Sequence, residues 1–324
     1  MKTYLIASLT AFVLSAAFTR LLLPVLKKLK AGQNILCYVK EHAKKAGTPT
    51  MGGLAFISAA FICACLFVKE PDGKFIVALS LGLAYAAVGF LDDLLKIRRK
   101  DNLGLKAYQK IIFQGAAAIL AGVFCYRAGL TFCRIPFTEN SVNFRAWTIP
   151  FAAFVFVALV NAVNLTDGLD GLASGASAAY FLSFGVMIAL QSANSSENGA
   201  KNPLALLCFV LAAAICGFLV FNAFPASVFM GDTGSLSLGG FAACAAVFSG
   251  NALYAPIVGI MFVVSVITVI MQVIYYKATK GRRIFLMAPY HHHLQKKGYS
   301  ECKISYAYAV ITAAAGLLCI LFAV

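Results

Sequence analysis

The chain has 324 residues, 61% of them hydrophobic and only 12% charged, with a mean hydropathy of +0.85. That balance excludes a soluble globule. A net charge of +15 suits anionic headgroups and phosphates, and so little soluble surface speaks against nucleic acid as a partner.

Apolar runs long enough for a bilayer, about 17–25 residues each, predict helices over 3–26, 52–68, 75–95, 107–126, 148–163, 172–190, 203–221, 235–250, 254–276 and 304–324. The expectation is an all-α integral membrane protein: one polytopic domain, 1–324, with about ten transmembrane helices. The first run follows Lys2 and could pass for a signal peptide. It is too long, and Lys27, Lys28 and Lys30 outweigh Lys2, so it reads as a retained helix. The second holds Cys63 and Cys65 with no matching pair, and the ten cysteines read as small buried hydrophobes. The third ends at Asp92-Asp93, just before Lys96, Arg98, Arg99 and Lys100. Carboxylates at a helix C-terminus oppose its macrodipole, and two side by side repel. A magnesium ion or a charged ligand would relieve both penalties; the plainer alternative is a solvated helix end balanced by its lysines.

The fifth run leads into Asn161-Ala-Val-Asn164-Leu-Thr166-Asp167-Gly-Leu-Asp170-Gly171, amides, a hydroxyl and carboxylates in a setting where lipid satisfies none of them. Asp167 and Asp170 would share a face if the segment were helical. An EF-hand fails here, because the twelfth position from Asn164 is Gly175. Asn194–Gly199 reads as an outside turn. After 203–221 come Asn222, Phe229 and Gly231-Asp232-Thr-Gly-Ser235, which opens the next helix. Asp232 is either an N-cap or an oxygen ligand for magnesium. No Gly-Lys-Ser/Thr follows, so this is no P-loop. The last long loop carries Arg282, Arg283, His291, His292, His293, Lys296 and Lys297. Consecutive histidines cannot all face one ion, which argues against zinc. The segment is a donor cluster for phosphate oxygens or a plain basic juxtamembrane loop.

Basic residues concentrate in three loops, at 27–45, 96–110 and 277–303. The positive-inside rule places those loops in the cytoplasm and both termini outside. The polar segments, at about 27–51, 96–107, 164–172, 222–235 and 277–303, then all face the cytoplasm.

These residues carry a resemblance. Lys45-x-Gly47-Thr-Pro-Thr-Met-Gly-Gly53, Gly89-Phe-Leu-Asp-Asp93, Asn161–Leu172, Phe229–Ser235 and Met287-Ala-Pro-Tyr-His-His-His293 resemble motifs of the polyprenyl-phosphate N-acetylhexosamine-1-phosphate transferase superfamily. Within it the chain is similar to the phospho-N-acetylmuramoyl-pentapeptide transferases, which make lipid I; the one departure is Tyr290, where an aliphatic residue is expected. The resemblance implies a multi-pass protein of the bacterial cytoplasmic membrane, usually a homodimer, that uses Mg2+. Its substrates would be UDP-MurNAc-pentapeptide and undecaprenyl phosphate, its products lipid I and UMP.

On that reading Asp92, Asp93, Asp232 and His292 are the catalytic residues. Asp232 is the first choice of magnesium ligand, with Asp92 and Asp93 facing the metal and the lipid phosphate. Lys45, Asn164, Asp167, Asn222 and Phe229 map to the family's uridine-diphosphate pocket. Lys96 and Lys110 would meet phosphates, and His291, His292 and His293 the sugar-phosphate or its peptide arm. Two rivals stand beside it. One is a sister transferase using UDP-GlcNAc; the other is an ion-coupled secondary transporter, which predicts inverted halves and midplane carboxylates.

Overall fold

The computed structural model describes residues 2–29, 47–99, 104–195 and 202–323. It is a helix bundle whose chain order runs α1 (Lys2–Lys28), α2 (Gly53–Phe67), α3 (Gly73–Arg99) and α4 (Ala107–Arg127), then a small hairpin, β1 (Phe132–Arg134) and β2 (Ser141–Asn143). There follow α5 (Thr148–Thr166), α6 (Leu172–Ser195), α7 (Pro203–Asn222), α8 (Gly231–Phe248), the one-turn α9 (Ala255–Val258), α10 (Ile260–Ala278), α11 (Tyr290–Lys296) and α12 (Glu301–Ala323). Each apolar run of the sequence is helical, the run at 254–276 in two pieces. Eight of the described helices are long and apolar enough to cross a bilayer, and α2 is a shorter apolar one.

The element that departs most from a lipid-facing span is α8. Every one of its residues except Asp232 is buried. It is the axis of the bundle, packed against α2, α3, α5, α6 and α7. Its glycine and serine content explains both the low hydropathy and the central position, since small residues let helix backbones approach closely in a membrane. A side chain at Gly239 would strike the backbone of Leu159 and Val160 on α5, one at Gly89 on α3 the backbone of Asp232 and Thr233, and one at Gly53 on α2 the backbone of Gly234.

The first helix is part of the bundle. It lies along α7, where Gly217 leaves room for the carbonyl of Phe12. Local signals fix several helix starts. Asn202 accepts from the amides of Leu204 and Ala205, with Pro203 beginning α7. Asp72 accepts from Phe75 at 2.8 Å to begin α3.

Three features differ from the sequence reading. The run at 254–276 breaks at Gly259 into α9 and α10. The loop at 277–303 contains the short α11. The hairpin after α4 pairs Cys133 with Val142 in an otherwise helical chain. Elements this short are held by their neighbours rather than by a periodic pattern: the Arg134 amide is tied to the Gly250 carbonyl at 2.9 Å. The nine described cysteines are all free.

The two ends of the bundle differ. At one end the Tyr4 hydroxyl meets the Asn202 amide, and Gln191 bonds both Asn251 and the Ala323 carbonyl, so the start of α1 and the end of α12 lie together. The carboxylates gather at the other end.

Candidate active site

The centre of the site is where the start of α8 meets the last turns of α3. Asp92 and Asp93 lie inside α3, which continues to Arg99 rather than ending at them as the sequence suggests; α8 begins at Gly231, whose φ of 70° turns the chain into the helix. The N-cap position of α8 is Met230, with no side-chain bond of its own. Asp93 supplies the cap from the neighbouring helix. Its Oδ1 accepts from the Asp232 amide at 3.2 Å, and its Oδ2 from the Thr233 amide at 2.9 Å and the Thr233 hydroxyl at 2.7 Å. Asp93, inside α3, is thus favoured by the positive end of α8. The N-cap alternative for Asp232 is thereby corrected, because Asp93 holds that role.

Asp232 points instead into a cluster of charge. Its Oδ1 accepts from Asn164 Nδ2 at 2.9 Å, and its Oδ2 from Lys96 Nζ at 3.0 Å and from Lys110. Asp92 Oδ1 accepts from the Leu105 amide at 2.7 Å and lies 3.1 Å from Lys110 Nζ; its Oδ2 is 2.7 Å from Lys96 Nζ. Asn164 also donates to Ser235 at 2.8 Å. One ligand oxygen from each of Asp92, Asp93 and Asp232 lies within 4.8 Å of the others. Among the described residues, two ammonium groups face three carboxylates, one positive charge short of balance.

This donor set fits a hard divalent cation. It is all oxygen, anionic and compact, the chemistry magnesium takes with a few carboxylates and a substrate phosphate. Asp92 Oδ2 is buried and has no hydrogen-bond donor aligned on it. Among the described residues the Asp232 carboxylate bonds side chains only, and the oxygens of Asp93 keep lone pairs beyond the bonds that cap α8.

Asn164 and Asp167 come from the end of α5. The 167–171 segment is a chain of turns, not a helix, so the helical condition for a face shared by Asp167 and Asp170 is not met. Asp167 lies towards the cluster. Burial, then the charges of Asp232 and Asp93, push its carboxyl well above the usual carboxylate range. Asp170 braces the loops: it accepts from the Ala226 amide at 3.0 Å, donates its own amide to Glu301, and its carbonyl accepts from Ser305 at 2.8 Å.

Asn222 is buried, and its amide serves the wall. It accepts from Ser174 at 2.6 Å and donates to the Val228 carbonyl at 3.0 Å. Those bonds shape the 223–228 turn that delivers Phe229. The Phe229 amide and carbonyl pair with Pro49 and Gly52, which ties the segment before α2 to the start of α8 and leaves the ring half exposed. Lys45 lies outside the described residues.

The histidines of α11 go three ways. His291 is fully buried against Tyr308 and beside Gly168. His293 turns to the preceding loop, where its Nδ1 accepts from the Leu286 amide at 3.1 Å and its ring stacks on Tyr290. Desolvation, then the charge of Lys297, lowers its pKa. His292 is half exposed and meets Gln295. A groove of about 600 Å³ runs between α10 and the 283–288 segment, lined by Gln272, Arg283, Met287 and Lys296 among others.

Sequence reasoning passed over Ser235, Thr233, Gln295 and Glu301, all of which hold site residues in place. Ser235 and Thr233 stood inside a quoted motif. Gln295 and Glu301 carried no signal beyond being polar.

The sequence of this site matches known proteins. The profile of glycosyl transferase family 4 matches residues 75–250, and the phospho-N-acetylmuramoyl-pentapeptide-transferase signature 1 matches residues 45–57. A phospho-N-acetylmuramoyl-pentapeptide-transferase of Clostridium perfringens (strain 13 / Type A) is 43% identical over 307 residues, 94% of each chain. Enzymes of the same name from Clostridium botulinum (strain Eklund 17B / Type B) and Thermoanaerobacter sp. (strain X514) are 40% and 41% identical. These alignments cover 98% and 96% of this chain and 95% and 96% of the relatives.

Proposed function

We infer that the chain, which belongs to the phospho-N-acetylmuramoyl-pentapeptide-transferase family, transfers phospho-MurNAc-pentapeptide from its UDP ester to a polyprenyl phosphate, with UMP as the second product. For the acceptor we propose undecaprenyl phosphate, which makes the product lipid I. A phosphate oxygen of the acceptor forms a bond to the β-phosphorus of the nucleotide sugar. The bond from that phosphorus to the bridging oxygen breaks, and the bridging oxygen leaves on UMP.

The observation that carries the mechanism is the contact of Lys96 and Lys110 with Asp92 and Asp232. Phosphoryl transfer needs positioning and charge neutralisation more than covalent help. Asp232 and Asp92 would hold the magnesium ion, with Asp93 beside them. When bound, the metal supplies charge neutralisation on the pyrophosphate oxygens. As phosphate enters, Lys96 and Lys110 turn from the carboxylates to its oxygens. Asn164 keeps the Asp232 carboxylate oriented. A phosphate monoester has a second pKa of about 6, so the acceptor is largely dianionic at neutral pH; Asp92 orients it, with proton removal a secondary role. Phe229 stacks on uracil, with Asp167 and Lys45 on the uridine-diphosphate side and Asn222 holding the wall. His292 faces the sugar and its peptide arm, while His291, buried against Tyr308, and His293, turned to the Leu286 loop, support α11 behind it. The site faces the cytoplasm, and the protein acts as a homodimer in the membrane.

The test measures UMP release with UDP-MurNAc-pentapeptide and with UDP-GlcNAc, with and without magnesium. Release is expected only with the muramoyl substrate and the metal. Asp232→Asn is expected to lower turnover by about a hundredfold or more in a protein that still folds. Turnover by that variant at the wild-type rate would remove Asp232 from the mechanism; release from UDP-GlcNAc would move the chain to a sister reaction.

A further inference from the structure

The end of the bundle opposite the carboxylates holds a cavity of about 160 Å³. Lys74, in the first turn of α3, and Arg134, on β1, stand at it with Ser192, Asn202, Phe248 and Ser249. Its position follows from the fold. At this end α3 and α7 begin and α6 and α8 finish, and the hairpin is brought to them by the bond from the Arg134 amide to the Gly250 carbonyl.

The neutral groups of the wall are committed to the protein. Asn202 Oδ1 caps α7 by accepting from the Leu204 and Ala205 amides, and its Nδ2 donates to Ser192 Oγ at 2.8 Å. Ser249 Oγ donates to the Ala245 carbonyl at 2.6 Å and accepts from Asn251 Nδ2 at 2.9 Å. The two cations are not committed. Neither Lys74 nor Arg134 has a side-chain hydrogen bond or an ion pair with another described residue, although Lys74 is half-buried. An ammonium carries three N–H donors and a guanidinium five, and neither accepts. Positive charge and donors are therefore what the cavity presents to a ligand.

We propose that this cavity is an anion site that takes a phosphate group, with the Arg134 guanidinium and the Lys74 ammonium sharing its oxygens. A planar guanidinium matches two phosphate oxygens at once, and an ammonium adds a point charge. The volume lies below the roughly 300–1,000 Å³ of pockets for drug-sized ligands, which suits a headgroup or a free ion and is too small for a nucleotide. A phospholipid headgroup and inorganic phosphate offer the same chemistry here. The surroundings place the site at the level of headgroups: Trp147, the one tryptophan of the chain, stands just ahead of α5 at this same end and is 74% exposed. Exposed tryptophan is enriched where a membrane protein crosses the interface. The site is independent of the reaction proposed above.

The test follows the melting temperature of the full-length protein in detergent as phosphatidylglycerol or inorganic phosphate is added. Two variants of equal charge are compared. One is Lys74→Gln/Arg134→Gln; the other is Lys27→Gln/Lys28→Gln, two exposed lysines at the opposite end. The wild type is expected to show a saturable rise with at least one of the two probes. Lys74→Gln/Arg134→Gln should need about a hundredfold more of that probe, about tenfold for each charge-assisted bond, and Lys27→Gln/Lys28→Gln no more than the wild type. If phosphatidylglycerol alone gives this pattern the ligand is a lipid headgroup; if phosphate gives it the site takes the free ion. Should the double variant not fold, Arg134→Gln alone, at an exposed position, carries the tenfold arm. No saturable rise in the wild type would overturn the proposal. Equal weakening in the two double variants would also overturn it, because that is general attraction to a basic protein.

Discussion

Asp92 and Asp93 are neighbours in the chain with different partners, and the difference is measurable. Asp93 holds three groups at the start of α8, whereas Asp92 holds a loop amide and two half-exposed lysines. Asp93→Ala is expected to lower stability by about 1–2 kcal/mol, the cost of losing a helix cap, as well as activity. Asp92→Ala should lower activity with a smaller loss of stability, because Lys96 and Lys110 keep Asp232. Equal melting temperatures for the two variants would contradict the cross-helix cap. The sequence showed that these carboxylates needed a positive partner. It did not show that one partner is a helix terminus, because that depends on α3 passing the start of α8. Asp167 makes a second test. Its pKa is raised in the folded protein, so between the ordinary carboxylate value and the raised one the folded chain binds a proton that the unfolded chain does not. Stability contributed by that site therefore falls as pH rises through this window. In EDTA, Asp167→Asn is expected to melt above the wild type at neutral pH, with a gap that narrows as the pH is lowered. A gap independent of pH would sink this reading.

Among the elements, the long spans were legible because each must satisfy its backbone and present apolar side chains to lipid. The helix hardest to read was α8, the one that matters most to the site. It faces protein on every side, so its small residues serve close packing and carry little hydropathy. That account distinguishes glycines of equal appearance in the sequence. Gly239→Ala on α8 would drive a methyl into the backbone of α5, and overpacking of this kind costs about 1–3 kcal/mol. Gly115→Ala on α4 meets nothing within 4 Å, and is expected to be neutral or slightly stabilising, by about 0.5–1 kcal/mol. Thermal melts of the two variants in detergent decide the matter, and a destabilised Gly115→Ala beside an unaffected Gly239→Ala would refute the packing account. The short α11 left no such signature. Its role depends on a turn at 297–300 that returns Glu301 to Gln295, and two ordinary polar residues six apart do not announce that contact.

For the whole molecule, the distribution of charge along the bundle axis yields an orientation. Lys27, Lys28, Lys96, Arg98, Arg99, Lys110, Arg282, Arg283 and Lys296 share the end that carries the carboxylates, while Lys2, Lys69, Lys74 and Arg134 are at the end where the start of α1 and the end of α12 meet. A bilayer with its positive loops inside would put the carboxylate end in the cytoplasm, where the nucleotide sugar is made. Single cysteines at 72 and 296, both exposed positions, in a cysteine-free chain give the test. A membrane-impermeant maleimide applied to intact cells should label position 72 and not position 296, and both should react once the membrane is opened. Labelling of 296 from outside would invert the protein. It would also place the proposed nucleotide site away from its nucleotide, so the orientation and the proposed reaction would fall together.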